Sequence, residues 1–525
     1  MIAEAGAPTL PPTGSEVRLA ELVAALALAT DLATGQPLEH GLRRTLLAVW
    51  LGQEIGLGQD EMGSAYYVAL LGSVGCILDS AAFADFVSDE IAMSEQLMTV
   101  DPSRQLSVAA FFLRHIGAGD PPLRRLHKVL SVSRQSQAVC RDVALHVGGL
   151  LDLGPAIKEA LGQCDELWDG SGPALGLKGE DIHVAARLFL LCNDIEVFNR
   201  IGGSETAIAV VRKRAGKVYD PHIARRFEEV GKRLLTRLQS EPAWDAVLAV
   251  EPEPVRFMSQ PEFDAVARKI ANFVDMRTPV TVGHSAGVAS LAEGAARVLG
   301  LPDRDVTTQR RAGLLHDLGR AGVPVSVWNK TEPLCEDDWH RIRRHPSLTE
   351  LVLARSTGLG HLGTLAGLHH EKLDGSGYRG LAAGSLPINA SILAVADAYQ
   401  TKLESRPHRQ ALTPERASDE LSKQATQGKL DRHVVDAILT TAGQQPRPEK
   451  RRRNLPAGLS EREAEVLSLT VRGMSNRQIA EALVVSPKTA GHHLENIYAK
   501  IGVSSRVGAT LFALQHGLTE NSARA

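Results

Sequence analysis

The chain is 525 residues long, 44% apolar and 23% charged, with a formal net charge of −3. That length allows about three domains, each with a core of its own, while the charge excludes a globally basic nucleic-acid binder and confines any DNA contact to a local surface. Five cysteines without a CxxC pair argue against a disulfide framework and a zinc ribbon and for a reducing cytoplasm, and no apolar run approaches the ~18 residues of a membrane span.

Long Ala/Leu-rich stretches with little strand-like alternation predict an all-α protein. Residues 1–16 have no basic n-region and are expected to be a disordered start. Residues 17–250 read as a helical domain. Within them "LLGSVGC" (Leu70–Cys76) has a counterpart 244 positions on, "LLHDLGR" (Leu314–Arg320), and the same offset pairs His40 with His284 and Gly56-Leu57 with Gly300-Leu301. "DELWDGSG" (Asp165–Gly172) echoes "HEKLDGSG" (His370–Gly377) at an offset of 205, so the first copy carries an insert of about forty residues around Phe83–Arg134. The expected architecture is a pair of related helical bundles, 17–250 and 261–443, followed by a small third module.

The second copy gathers metal-capable side chains: His284, His316-Asp317, His345, His369-His370 and Asp397. Imidazole with carboxylate suits iron or manganese first and zinc next, rather than magnesium or calcium. The ligands fall on separate predicted helices, so a bundle that turns them inward could hold two ions, with Asp317 as the bridge.

The run "GHSAGVA", "LLHDLGRAGVP", "RRHP", "HHEKLDGSGYRG", "ILAVADAYQ" and "RPHR" resembles the HD-GYP branch of the HD phosphohydrolases. The resemblance implies an all-helical, metal-dependent phosphodiesterase acting on c-di-GMP or a related cyclic nucleotide, with the seven residues above as ligands. Asp317 and Arg320 are then the expected catalytic groups; Asp374, Gly375, Gly377, Tyr378, Arg406 and Arg409 border the substrate. Val280 stands where some members place a Glu for a third metal, which favours two ions. The Gly-Tyr-Pro signature is broken to "GYRG", and Arg320 replaces the usual Lys. These departures keep open an alternative, a catalytically weak sensor of metal or nucleotide that controls DNA binding.

In the first copy the offsets turn His316 and Asp317 into Gly72 and Ser73, place His345 near Cys140 and turn His369 and His370 into Cys164 and Asp165, while Asn193, one residue off the 205 register, stands for Asp397. His40 alone survives. This copy is expected to be a degenerate, metal-free partner, its cysteines packing as small apolar groups.

Residues 444–454, "QQPRPEKRRRN", read as a linker to a module at 455–520. There Ser460 with Glu463 and Ser475 with Gln478 predict capping boxes, and Ser486 before Pro487 predicts a third helix start. The blocks "LSEREAEVL", "GMSNRQIAEAL" and "SPKTAGHH" resemble the LuxR-type helix-turn-helix. That resemblance implies double-stranded DNA as partner, read by a homodimer through Lys488, Thr489, His492, His493 and Asn496, with Arg477 and Arg506 on phosphates. The whole chain is thus expected to be a cytoplasmic one-component transcriptional regulator with a metal-dependent input domain.

Overall fold

The computed structural model describes residues 17–78, 87, 89–116, 142–143, 146–149, 151–172, 175–381, 386–443 and 455–518. The expected disordered start, Cys140 and the linker 444–454 lie outside the described residues. Among the described residues every regular element is a helix, and extended chain meets only at isolated bridges such as Arg18 to Phe257. The all-α expectation is met.

The repeat is visible as matched helices. His40–Glu54 and His284–Val298 are each 15 residues long, and Gln59–Leu71 and Asp303–Leu315 each 13. Both His-led helices follow a residue in the left-handed region, Glu39 (φ 76°) and Gly283 (φ 84°), which turns the chain so that the His is the first helical residue. Glycine adopts that conformation without steric cost, whereas at Glu39 it is strained. A carboxylate from the preceding helix satisfies each start: Asp31 accepts from the Gly41 amide (3.0 Å) and Asp275 from the Ser285 amide (2.8 Å).

The two copies do not keep separate cores. Their buried apolar side chains form one continuous cluster from Leu19 to Ile438. Leu19–Ala33 is apolar nearly all round and buried accordingly. Its Leu32 approaches Gly322 in the second copy, and its Glu21 accepts a hydrogen bond from Ser356. A further departure concerns Gln59–Leu78, which is long and apolar enough to cross a membrane by length and composition; 67% of its apolar window is buried inside the protein, as in a core helix. The described part of the insert supplies two helices, Glu90–Leu97 and Gln105–His115.

The C-terminal module has its own core around Val466, Leu467, Ile479, Ala490 and Ile497. Ser460, Ser475 and Ser486 cap Glu461–Val471, Asn476–Leu483 and Pro487–Ile501, and Ser505 caps a fourth helix, Arg506–Gln515. Leu511 of that last helix joins the main core, and the hydroxyls of Ser504 and Ser505 donate to Asp142.

Candidate metal centre

The fold draws all seven expected ligands to one place. His284 opens its helix, and His316-Asp317 ends Asp303–Leu315 just before the 3-10 turn Leu318–Gly322. His345 opens His345–Leu353, His369-His370 follows Gly360–Ala366, and Asp397 lies inside Ile388–Leu403. All are buried except His370, which is partly exposed. The ligand atoms form two trios, His284/His316/Asp317 and His345/His369/His370.

Asp317 joins the trios with opposite oxygens. Its Oδ2 lies 3.6 Å from His284 Nε2 and 3.4 Å from His316 Nε2, while its Oδ1 lies 3.4 Å from His345 Nε2 and 3.7 Å from His369 Nε2. Asp397 places Oδ1 3.1 Å from His284 Nε2 and Oδ2 3.4 Å from His370 Nδ1. Close packing across this point depends on Gly319, where a Cβ would sit 2.1 Å from the His345 carbonyl oxygen.

Hydrogen bonds on the far side of the rings set which nitrogen faces inward. Nδ1 of His316, His345 and His369 each donates to the carbonyl three residues earlier, Gly313 (2.8 Å), Ile342 (2.6 Å) and Ala366 (2.6 Å). Their Nε2 atoms therefore carry lone pairs. His345 Nε2 and His369 Nε2 lie 3.0 Å apart with no proton between them, and His316 Nε2 is buried without a hydrogen-bond partner. Lone pairs packed this closely out of water call for a cation, so the residues fit divalent metal.

Charge is arranged to match. Burial pushes His345 down to about 3 and His369 to about 4, and holds His370 well below the usual imidazole range. These rings are neutral at physiological pH, the form a metal needs. Burial works against ionisation of Asp317, yet the cations of Arg320 and His284 beside it help to outweigh that and hold the carboxyl well below its ordinary value. Glu404, which the sequence reading missed, accepts from His284 Nδ1 at 3.0 Å and fixes that ring as well.

Around the ligands, Arg320 donates to Asp317 Oδ2 (3.0 Å) and stacks 4.3 Å from the Trp328 ring centroid. Tyr378 faces His370 at 4.4 Å between centroids, and burial pushes its hydroxyl up to about 12. Asp374 and Ser376 form a local turn with Gly375 at φ 77°. Glu371, unassigned by the sequence reading although it lies in the quoted motif, ties the loop by accepting from the amides of Arg379 (2.7 Å) and Leu381 (3.1 Å). A Cβ at Gly377 would fall 2.6 Å from Glu371 Cα, so only glycine fits there. Arg406 pairs with Glu404 at 2.9 Å beside the ligands. Arg409 instead donates to the carbonyls of Thr401, Lys402 and Glu404, so it holds the helix end rather than facing the centre.

Comparison with known proteins agrees with this geometry. The HD domain family matches residues 268–434, and the family of bacterial regulatory proteins of the luxR type matches 457–513. The 3'3'-cGAMP-specific phosphodiesterase 3 of Vibrio cholerae is 27% identical over 411 residues, covering 76% of this chain and 89% of that protein. The cyclic di-GMP phosphodiesterase response regulator RpfG of Xanthomonas campestris is 33% identical over 212 residues, 39% of this chain and 56% of its own. A crystal structure of a cyclic GMP-AMP specific phosphodiesterase of V. cholerae, V-cGAP3, shares the fold with a TM-score of 0.57 at 23% identity, over 82% of this chain and 98% of that one.

The chain carries an HD domain followed by a luxR-family regulatory domain.

Beside this HD domain the first copy is filled rather than hollow. Arg44, at the position of Val288, sends its guanidinium to Ser73 Oγ (2.7 Å) and Asn193 Oδ1 (2.9 Å), the counterparts of Asp317 and Asp397. A Cβ on Gly72 would meet the Phe189 ring at 2.4 Å, so that ring takes the volume of the His316 side chain. Arg44 stacks on the same ring at 4.6 Å. His40 keeps a carboxylate on Nδ1, Glu196 at 2.5 Å, but its Nε2 meets Asn193 at 3.1 Å. Cys164 is a buried thiol that burial pushes well above its usual value, and it donates to the Ala160 carbonyl. Among the described residues no metal-ready trio falls in this copy.

In the luxR-family domain Lys488, Thr489, His492 and Asn496 are exposed on Pro487–Ile501, with His493 half-buried beside them. Arg477 is exposed and pairs with Glu481. Arg506 differs from expectation: its guanidinium donates to the carbonyls of Thr470 and Met474, inside the domain, so it braces the turn.

Proposed function

We propose that the HD domain hydrolyses a cyclic dinucleotide and that the luxR-family domain reads double-stranded DNA, making the chain a one-component transcriptional regulator. The observation that carries the enzymatic half is the pair of donor trios joined through opposite oxygens of Asp317. His284, His316, Asp317 and Asp397 would hold one divalent ion, and His345, His369, His370 and Asp317 a second, with iron or manganese suited to the donor set and zinc next. Bound divalent ions supply Lewis acidity to the phosphoryl oxygens and make a water acidic enough to attack. Arg320, permanently charged and aimed by Asp317 and Trp328, holds a phosphate oxygen but gives up no proton near neutral pH. Tyr378, its ring beside His370, keeps its proton and offers a hydroxyl donor near the ligands. Glu404 stops the His284 ring from turning.

For DNA, the exposed Lys488, Thr489, His492 and Asn496 face supports base and backbone contact in the major groove, with Arg477 on phosphate, and a homodimer would present two such helices to paired half-sites. Both ligands point to the cytoplasm. The test of the enzyme is to incubate metal-loaded full-length protein with 3'3'-cGAMP, c-di-GMP and c-di-AMP and to follow products by chromatography. A linear dinucleotide from one of them is expected; ligand retained without product from all three would replace hydrolysis by sensing. For DNA, fragments selected by the full-length protein should bind more weakly to Lys488→Ala, with the salt slope reduced by about 1, and unchanged binding would move the recognition face elsewhere.

A further inference from the structure

We infer that Glu90, contributed by the insert of the first copy, is a positioning residue for Arg320 in the HD domain; the inference rests on the hydrolytic reading above. Glu90 begins the helix Glu90–Leu97, yet it is wholly buried, because the tip of the insert is sunk into the second copy. The neighbouring Asp89 fastens that tip by accepting from Arg341 at 2.7 Å. Glu90 Oε1 accepts the amide of Val325 and lies 3.9 Å from the guanidinium of Arg277.

Arg277 is the link to the metal centre. It is 4% exposed, and its Nη1 donates to the carbonyls of Arg320 (2.7 Å) and Ala321 (2.6 Å), with Val323 at 3.4 Å. The turn Leu318–Gly322 is thus held at its start by Gly319, whose amide donates to Thr349 (2.8 Å), and at its end by Arg277. A guanidinium buried away from water is strongly unfavourable without an opposing charge, and Glu90 supplies a carboxylate from a segment far away in sequence. Beside the turn lies a small cavity lined by Asp275, Arg277, Thr281, Arg320 and Trp328. A turn no longer gripped by Arg277 has space to sag into it, which would carry Arg320 off Asp317 and Trp328. The degenerate copy therefore has a task that outlasts its own chemistry: it closes the turn that aims the arginine of its twin.

The test uses the full chain and a double-mutant cycle. Glu90→Ala should lower kcat by ~10- to 100-fold, the cost of a misplaced group, with KM and metal content unchanged. Glu90→Gln, which keeps an acceptor for the Val325 amide, should recover part of that loss. In an Arg320→Ala background Glu90→Ala should cost nothing further, because its effect runs through Arg320. A wild-type rate in Glu90→Ala overturns the inference, as does a loss that multiplies with that of Arg320→Ala or falls together with metal content. If the wild-type chain hydrolyses nothing, the phosphodiesterase reading fails, and hydrogen exchange then decides the positioning. The amides of Gly319 to Val325 should exchange at least about tenfold faster in Glu90→Ala, with those of His284–Val298 unchanged; equal protection of the turn in both proteins would overturn it.

Discussion

Set the two copies side by side and the same frame solves one electrostatic problem in two ways. Each bundle converges polar ends of several helices on a buried point where partial and full negative charges meet. The second copy keeps carboxylates and imidazole lone pairs there and so calls for exchangeable cations. The first replaces the carboxylates by Ser73 and Asn193, fills the imidazole volume with Phe189, and closes the point with the fixed cation of Arg44. Losing a metal site without unfolding takes a replacement charge and a replacement volume, not deletion alone.

That contrast can be broken most severely at Asp317. Asp317→Ala removes the oxygens shared by both trios, so metal content should collapse and hydrolysis fall by at least about 10³-fold, since several kcal/mol of charge stabilisation goes with the ions. Elemental analysis with a rate assay checks it, and full metal occupancy in the variant would undo the bridging role.

Arg44→Ala makes the complementary cut. It takes the buried guanidinium away from Ser73, Asn193 and the neighbouring Asp31 and should destabilise the protein by ~3–5 kcal/mol in denaturant unfolding. Metal content should stay as in wild type, because the site affected holds none. Rebuilding the lost motif is the next test: Gly72→His with Ser73→Asp should bind no additional metal and should cost ~1–3 kcal/mol, since the new ring overlaps Phe189. Extra stoichiometric metal there would mean that the first copy is only lightly degraded.

The smallest effect is in pH. His345 sits at about 3 and His369 at about 4, lowered first by burial. Protons thus compete for these nitrogens only well below the range of an ordinary histidine, about 6.5. Metal loading at the His345/His369/His370 trio should accordingly be nearly the same at pH 5.5 as at pH 7.5, measured by equilibrium dialysis, whereas His284, which Glu404 and Asp397 raise to about 10 against the effect of burial, must give up a proton to bind across that range; a drop at the His345 trio centred near pH 6.5 would show its rings to be ordinary.

Much of this was legible in the sequence because it is local or periodic. The helix starts at Ser460, Ser475 and Ser486 are set by residues three apart, and the paired helices keep their spacing over 244 positions. The seven ligands could be collected from motifs without knowing how they meet. What was hidden depends on long-range approach. Glu404 lies 120 residues from His284, and Glu90 lies 235 from Val325. Arg44 did leave a trace, a charged residue in the apolar stretch "GLRRTLLAVW", but only its contacts with Ser73 and Asn193 give that trace meaning. Arg409 and Arg506 show the reverse: one was expected beside the substrate and the other on DNA phosphate, and the guanidinium of each is engaged by backbone carbonyls whose nearness a linear reading does not display.

The central claim is that one copy holds metal and its twin holds Arg44 in the same place. Anomalous diffraction from crystals of the full-length protein grown with manganese or iron tests it most directly. The account predicts strong peaks on the two sides of Asp317, within the His284/His316 and His345/His369/His370 groups, and none beside Ser73 and Asn193. A peak in the first copy, or a metal-saturated crystal with none around Asp317, would contradict it.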